Sequence, residues 1–321
     1  MAEQRAGGET GADEQGAAAT RSGTVALVGR PNSGKSTLLN RLLAEKLAIV
    51  SPKPQTTRNR IVGIYSEPRG QIVFFDTPGI HRPLHRMNRL MLQEAEAALE
   101  GADVVCLLVD AAEPFGKGDA YLLTTMERAR VPRLLLLNKI DLVKKSRLLP
   151  LIARYAEGGL FEEIVPISAL TGDGAERVLE LLFARLPAGP PLYDPELLTV
   201  HPERFLVAER IREKVLEQTA QEVPFATAVL VEKWEEDAAK GDPRGIVRVY
   251  ASILVEREGQ KKILVGAGGQ RIKEIGTAAR IDLEEFLDKK VFLQLHVRVE
   301  ERWRENARIL AELEREARLG S

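Results

Sequence analysis

The chain has 321 residues, enough for two domains that each bury a core. Lys and Arg number 46 against 47 Asp and Glu, so net charge argues neither for nor against nucleic acid, and any basic surface must be local. A hydrophobic share of 44% with 29% charged reads as soluble and globular, and no apolar run reaches membrane-spanning length. The N-terminus lacks the order of a signal peptide, and the single cysteine, Cys106, excludes an internal disulfide or a multi-cysteine metal site.

Residues 1–22 are rich in Ala, Gly, Glu and Gln and are expected to form a disordered tail. From Gly23 to Leu186, apolar β-rich runs at 24–28, 61–66, 71–75, 104–109, 133–137 and 164–167 alternate with helical patterns near 35–44, 86–99, 118–129, 146–156 and 174–185. The second and third strands flank Glu67-Pro-Arg-Gly70, a turn signal, which predicts an antiparallel hairpin. The rest predicts an α/β domain with a mostly parallel, six-stranded sheet covered on both faces. In such a sheet ligands sit beyond the carboxyl ends of the strands. Cys106 lies inside the run Val104–Val109, which reads as a buried, inert thiol.

The first strand ends in Gly29-Arg30-Pro31-Asn32-Ser33-Gly34-Lys35-Ser36, followed by Thr37 and a helical pattern. The GxxxxGK[ST] spacing between strand and helix is a phosphate cradle: glycines admit the backbone, and the helix N-terminus adds positive charge. Lys35 is placed to reach β- and γ-phosphates, and the Ser36 hydroxyl to ligate Mg²⁺. A polar stretch, Lys53-Pro-Gln-Thr56-Thr57-Arg58, follows. Asp76-Thr77-Pro78-Gly79 comes at the end of the third strand, with an acid for Mg²⁺ and a glycine N–H for a γ-phosphate. After the strand at 133–137 comes Asn138-Lys139-Ile140-Asp141. The Asp141 carboxylate can accept from guanine N1–H and its amino group, a donor pair that adenine lacks. Asn138 can reach the N7/O6 side, and the Lys139 stem can lie along the purine face. Ser168-Ala169-Leu170, after the last strand, offers a backbone N–H to guanine O6.

These four motifs, in this order, resemble the translation-factor-like class of P-loop GTPases. The resemblance makes residues 53–58 the first switch segment, with Thr57 as a Mg²⁺ ligand in the triphosphate state and Thr56 as the second choice. Ser36, Thr57 and Asp76 form the expected metal set, and Lys35, Thr57 and Gly79 the expected catalytic set. Many GTPases carry a water-orienting glutamine directly after the DxxG glycine; here that position is Ile80, so slow intrinsic hydrolysis is expected. Asn32 resembles the asparagine of potassium-stimulated relatives, which makes K⁺ dependence an expectation.

Pro187-Ala-Gly-Pro-Pro191 and two further proline dipeptides mark a linker at 187–202. A different order follows over 203–321. A helix at 204–221 precedes strands at 225–234 and 246–255. Helical patterns over 261–287 flank Gly266-Ala267-Gly268-Gly269, then come a strand at 291–299 and a helix at 303–319. A GXXG loop between two helices is the KH-domain device for gripping single-stranded RNA, and the element order matches its type II form. Lys261, Lys262, Arg271, Lys273 and Arg280 are expected to make the local basic face. Ala267 stands where a basic residue is common. For His296 and Trp303, packing is the favoured role over base stacking.

The combination resembles the Era family of bacterial GTPases over about 23–310. It is carried by GRPNSGKSTLLN, PQTTRNRIVGI, DTPGIH, NKID, SAL and the run from Ile253 to Lys262 leading into GAGGQRIKEIG. The family implies GTP and GDP as ligands with Mg²⁺, and binding near the 3′ end of small-subunit ribosomal RNA. It also implies assembly of the small ribosomal subunit and, in some members, peripheral membrane association. A cytoplasmic monomer is the corresponding expectation. An RNA-binding scaffold with a static nucleotide, or an RNA-modification GTPase, are the alternatives.

Overall fold

The computed structural model describes residues 20–53, 55–80, 85–220, 223–237 and 245–318. The expected disordered tail up to residue 19, and His81 beside the DxxG motif, lie outside the described residues.

The N-terminal half holds β1 (Arg21–Gly29), α1 (Lys35–Leu43), β2 (Ile61–Glu67), β3 (Gly70–Asp76), α2 (Arg86–Glu100), β4 (Val104–Asp110), α3 (Lys117–Glu127), β5 (Arg133–Asn138), α4 (Lys145–Ala156), β6 (Glu163–Pro166) and α5 (Ala175–Arg185). The six strands form one sheet in the order β2-β3-β1-β4-β5-β6. Only the β2–β3 pair is antiparallel, joined by the turn that the sequence marks. The strands are apolar without alternation because helices cover both faces: Val25, Leu27, Phe74 and Leu108 pack on one side, and Ala26, Val28, Leu107 and Leu135 on the other. β1 begins at Arg21, whose Cα pairs with that of Gly70, so ordered structure starts inside the stretch that composition reads as tail. Cys106 is fully buried in β4, and burial pushes its thiol up to about 12.

Residues 187–189 bridge the start of β1, and 198–201 run along the edge of β2. The Ile64 N–H donates to the Leu198 carbonyl at 2.8 Å, and the Val62 N–H to His201 Nε2 at 3.0 Å. The C-terminal half then builds α6 (Glu203–Gln218), β7 (Ala228–Asp237), β8 (Ile246–Val255), α7 (Glu258–Val265), α8 (Gln270–Leu287), β9 (Lys290–Val299) and α9 (Ala307–Ala317). β8 is the central strand, antiparallel to β7 and parallel to β9. Val247, Val249, Ala251 and Ile253 of β8 face Ile211 of α6 and Ile275, Ala279 and Leu283 of α8 in one core.

Three expected element starts move, the helix ahead of the GXXG loop beginning at Glu258 rather than at 261. Residues 223–226 form a short 3₁₀ turn rather than the beginning of a strand; Pro224 has no N–H to give a ladder. The last helix starts at Ala307 instead of Trp303, where Asn306 Oδ1 caps it by accepting from the Arg308 N–H at 3.0 Å. Trp303 is fully buried, and its indole N–H donates to the Ala226 carbonyl at 2.8 Å, which supports packing over stacking on a nucleobase. His296 is exposed on β9, beside the Gln294 side chain.

Candidate functional site

The strand β1 delivers the P-loop at its carboxyl end and α1 starts directly behind it. Its glycines are required by close approach. A Cβ on Gly29 would stand 2.5 Å from the Leu108 carbonyl oxygen, and one on Gly34 2.1 Å from Asn138 Nδ2, with Gly34 also at φ +96°. A Cβ on Gly79 would stand 2.6 Å from the Pro31 nitrogen, so the P-loop and the DxxG loop nearly touch.

Lys35 is buried, and its ammonium donates to the carbonyls of Arg30 at 3.0 Å and Gly29 at 3.4 Å. Burial lowers its pKa to about 8, with Asp76 opposing that shift. Asp76 is fully buried, and burial raises its pKa to about 6, against the pull of Lys35 and hydrogen bonds from Ser36 and Thr57. Ser36 Oγ donates to Asp76 Oδ2 at 2.6 Å and lies 2.9 Å from Thr57 Oγ1. Asp76 Oδ1 is buried without a partner among the described residues. Three hard oxygen groups converging beside an unsatisfied carboxylate oxygen fit a Mg²⁺ ion. Thr56 takes no part: its hydroxyl donates back to the Lys53 carbonyl at 2.6 Å, so the structure favours Thr57. Thr77 is also turned inward, its hydroxyl donating to the Leu27 carbonyl at 2.8 Å.

Pro31, Asn32, Gly34, Lys35, Thr37 and Lys139 line one cavity of about 220 Å³ with Thr57 and Gly79. Asn138 stitches its floor: Nδ2 donates to the Ser33 carbonyl at 2.8 Å, and Oδ1 accepts the Ala169 N–H at 2.9 Å. The Ser168 hydroxyl donates to Asp141 Oδ1 at 2.6 Å and orients an exposed carboxylate. Lys139, in left-handed backbone at φ 65°, is held by Asp110 Oδ2 at 2.6 Å; the sequence reading missed Asp110, although it ends an apolar strand as Asp76 does. Ile140 begins a 3₁₀ turn and Leu170 is exposed beside the site. The Ile80 N–H donates to the Gly29 carbonyl at 3.2 Å and its side chain is buried in the core with Val28 and Leu107. Arg30 points away, pairing with Asp119 at 3.1 Å.

In the C-terminal half, Gly266, Gly268 and Gly269 have φ of +73°, +57° and +80°. Nothing lies within 4 Å of a Cβ built on Gly268 or Gly269, so the loop surface is open. Exposed Lys262 and Ala267, half-buried Lys261, and exposed Arg271 and Lys273 flank it. Arg271 also donates to the Ile263 carbonyl at 3.2 Å, closing the loop. Arg280 is not brought to the loop. It lies ten residues into α8, about 15 Å along the axis, and pairs with Glu284 at 2.8 Å.

The two halves meet at residues 50–58 and at α2. Lys53 Nζ donates to the carbonyls of Leu216 and Thr219, Arg212 to that of Thr56, and Arg58 to that of Thr227. Met87 and Met91 of α2, which follows the DxxG loop, pack with Trp303, Leu254 and Leu310. The roles of Lys53, Arg58 and Arg212 in joining the halves were not legible in the sequence, because their partners are far away in the chain.

Residues 24–139 match a family model described as a 50S ribosome-binding GTPase, and residues 222–304 match the KH domain model. The GTPase Era of Geotalea uraniireducens (strain Rf4) is 50% identical over 292 residues, covering 91% of this chain and 97% of that protein. The chain belongs to the Era family of GTPases. The GTPase Era of Lacticaseibacillus paracasei is 47% identical over 292 residues, covering 91% of this chain and 96% of its own length. A crystal structure of Era in complex with MgGDPNP and nucleotides 1506–1542 of 16S ribosomal RNA superposes with a TM-score of 0.88 at 37% identity, covering 92% of this chain and 98% of that one. A single-substitution variant of Aquifex aeolicus Era bound to GDP.AlF4- gives 0.87 at 37% identity, covering 92% and 99%. The Era-type pairing of a P-loop GTPase domain with a type II KH domain therefore accounts for both sheets.

Proposed function

We propose that this chain is a Mg²⁺-dependent GTP switch that binds the 3′ end of small-subunit ribosomal RNA and acts in assembly of the small subunit. The observation that carries the reading is the placement of Thr57: its hydroxyl belongs to the metal-binding trio, while the peptide around it is docked on the KH half. GTP and GDP would be held by the P-loop and selected by Asp141, and Ser36, Thr57 and Asp76 would hold Mg²⁺, which supplies charge neutralisation between phosphates. Ile80 offers no group to orient water, so the intrinsic rate is slow and positioning falls to backbone groups or another loop. Asn32 donates through Nδ2 to the Pro52 carbonyl at 2.7 Å, joining P-loop and switch where K⁺ stimulation would act.

RNA binding is assigned to the GXXG loop with Lys261, Lys262, Arg271 and Lys273, the RNA target being that of the Era structure solved with 16S ribosomal RNA. Action as a monomer in the cytoplasm, with peripheral contact at the cytoplasmic face of the membrane, completes the proposal. No helix among the described residues is long and apolar enough to cross a membrane. An RNA-modification activity is disfavoured because the single thiol, Cys106, is buried in the sheet. Multiple-turnover phosphate release, with and without small-subunit ribosomal RNA, tests the reading. Turnover that RNA accelerates supports a switch; a single slow burst with no turnover identifies a scaffold with a static nucleotide.

A further inference from the structure

Thr57 sits between two residues whose outward groups are both held by the KH half. The Thr56 carbonyl accepts from the Arg212 guanidinium of α6. Arg58 leaves the GTPase half altogether. Its guanidinium donates to three main-chain carbonyls of one tight turn: Thr227, Pro224 at 3.1 Å and Phe225 at 3.2 Å. Upstream, the Val50 N–H donates to Glu213 Oε1 at 3.0 Å, which ties the same segment to α6 again.

Arg58 is expensive to keep there. It is 9% exposed, its guanidinium lies 5.7 Å from the Trp303 ring centroid, and its Nε is buried without a partner among the described residues. Burial, and after it the nearby Arg212, push its pKa down to about 9. A buried cation beside another cation is destabilising unless its contacts do something that an apolar residue could not. The turn at 224–227 presents its carbonyls as a cup for a planar head with several donors, which suits arginine better than lysine.

We propose that Arg58 is a positioning residue for GTP hydrolysis: it uses the KH turn at 224–227 as an anchor that holds the Thr57 hydroxyl beside Ser36 and Asp76. The inference rests on the reading of Thr57 as a metal ligand in a hydrolysing site. A free switch segment would have to be ordered by the nucleotide alone, at the cost of its backbone freedom. The anchor keeps that segment ordered before the nucleotide arrives. Because coupling is reciprocal, whatever draws the turn away from Arg58 also slackens Thr57.

The test uses the full chain and compares wild type, Arg58→Ala, Arg58→Lys, Thr57→Ala and the double variant Thr57→Ala/Arg58→Ala. kcat, KM for GTP, the Mg²⁺ concentration for half-maximal rate and melting temperature are measured for each. Arg58→Ala is expected to lower kcat about tenfold while KM stays within about threefold, since the P-loop and base contacts are intact. Its Mg²⁺ requirement rises, Arg58→Lys recovers part of the rate, and adding Arg58→Ala to Thr57→Ala costs no further rate. Wild-type kcat in Arg58→Ala, or losses that multiply in the double variant, would overturn the inference alone. So would a kcat loss fully restored by assaying well below the melting temperature. A wild-type chain that releases no phosphate would overturn the hydrolysis reading itself. If Arg58→Ala does not fold, Arg58→Lys carries the same cycle.

Discussion

The two glycine loops of this chain use the same residue for opposite reasons. In the nucleotide site, Gly29, Gly34 and Gly79 are glycine because protein atoms already occupy the space of a Cβ. In the KH half, Gly268 and Gly269 face open space and are glycine because of their backbone angles. The first loop is a finished cradle whose charges, Lys35 and Asp76, are buried and pushed toward their neutral forms. The second is an open platform with exposed cations around it. A Mg²⁺-bound phosphate that enters the first meets charges already in place, the phosphate pairing with Lys35 and the metal with Asp76. An RNA strand on the second meets a surface with little to displace.

Substitution at the glycines themselves challenges this contrast with the largest expected effect. Gly34→Ala forces a left-handed alanine into Asn138, and nucleotide affinity should fall by more than about 100-fold, the equivalent of roughly 3 kcal/mol. Gly268→Asp should leave GTP binding unchanged and weaken RNA binding about tenfold or more, by putting negative charge where phosphates pass. Titration of each variant with a fluorescent guanine nucleotide and with labelled RNA checks both halves. If Gly34→Ala binds nucleotide normally, the loop is not the tight cradle described.

The buried charge gives the next effect. Because Asp76 has its pKa raised to about 6 from 3.8, its contribution to the stability of the nucleotide-free protein is present at low pH and lost as pH rises through about 6. Asp76→Asn removes that dependence. Urea unfolding should show the variant gaining on wild type by on the order of 2 kcal/mol between pH 4 and pH 7.5. A constant difference across that range would mean that Asp76 is not held in a desolvated site. Asp141→Asn should lower GTP affinity about 10- to 100-fold by exchanging a charged acceptor for an amide, and shift preference toward xanthine nucleotides. Unchanged GTP affinity would sink the base assignment.

The parts of this picture that sequence reveals are local. All six strands of the first sheet, its antiparallel hairpin and the four nucleotide motifs follow from apolar runs, turn residues and spacing. The resemblance already ranked Thr57 above Thr56, and the structure supplies the physical reason: both hydroxyls fit the pattern, but only that of Thr57 faces Ser36. Arg280 shares the helix of Arg271, so composition groups them, but the length of helix between them keeps Arg280 from the loop. Trp303 fits a helical pattern and yet closes a turn against Ala226, since burying a large indole with a partner for its N–H outweighs propensity. The Arg58 contacts join residues 166 to 169 positions apart, and no local pattern encodes such a pairing.

If nucleotide and RNA are read through one segment, residues 50–58, then each ligand must alter the affinity for the other. The decisive measurement is the affinity of the full chain for a single-stranded oligonucleotide from the 3′ end of small-subunit ribosomal RNA. The titration is run in parallel with a Mg²⁺-bound GTP analogue and with Mg²⁺-GDP. Affinities are expected to differ about fivefold or more between the two states, a coupling of about 1 kcal/mol, and the difference should vanish in Arg58→Ala. Equal affinities in the wild-type chain would contradict a shared segment.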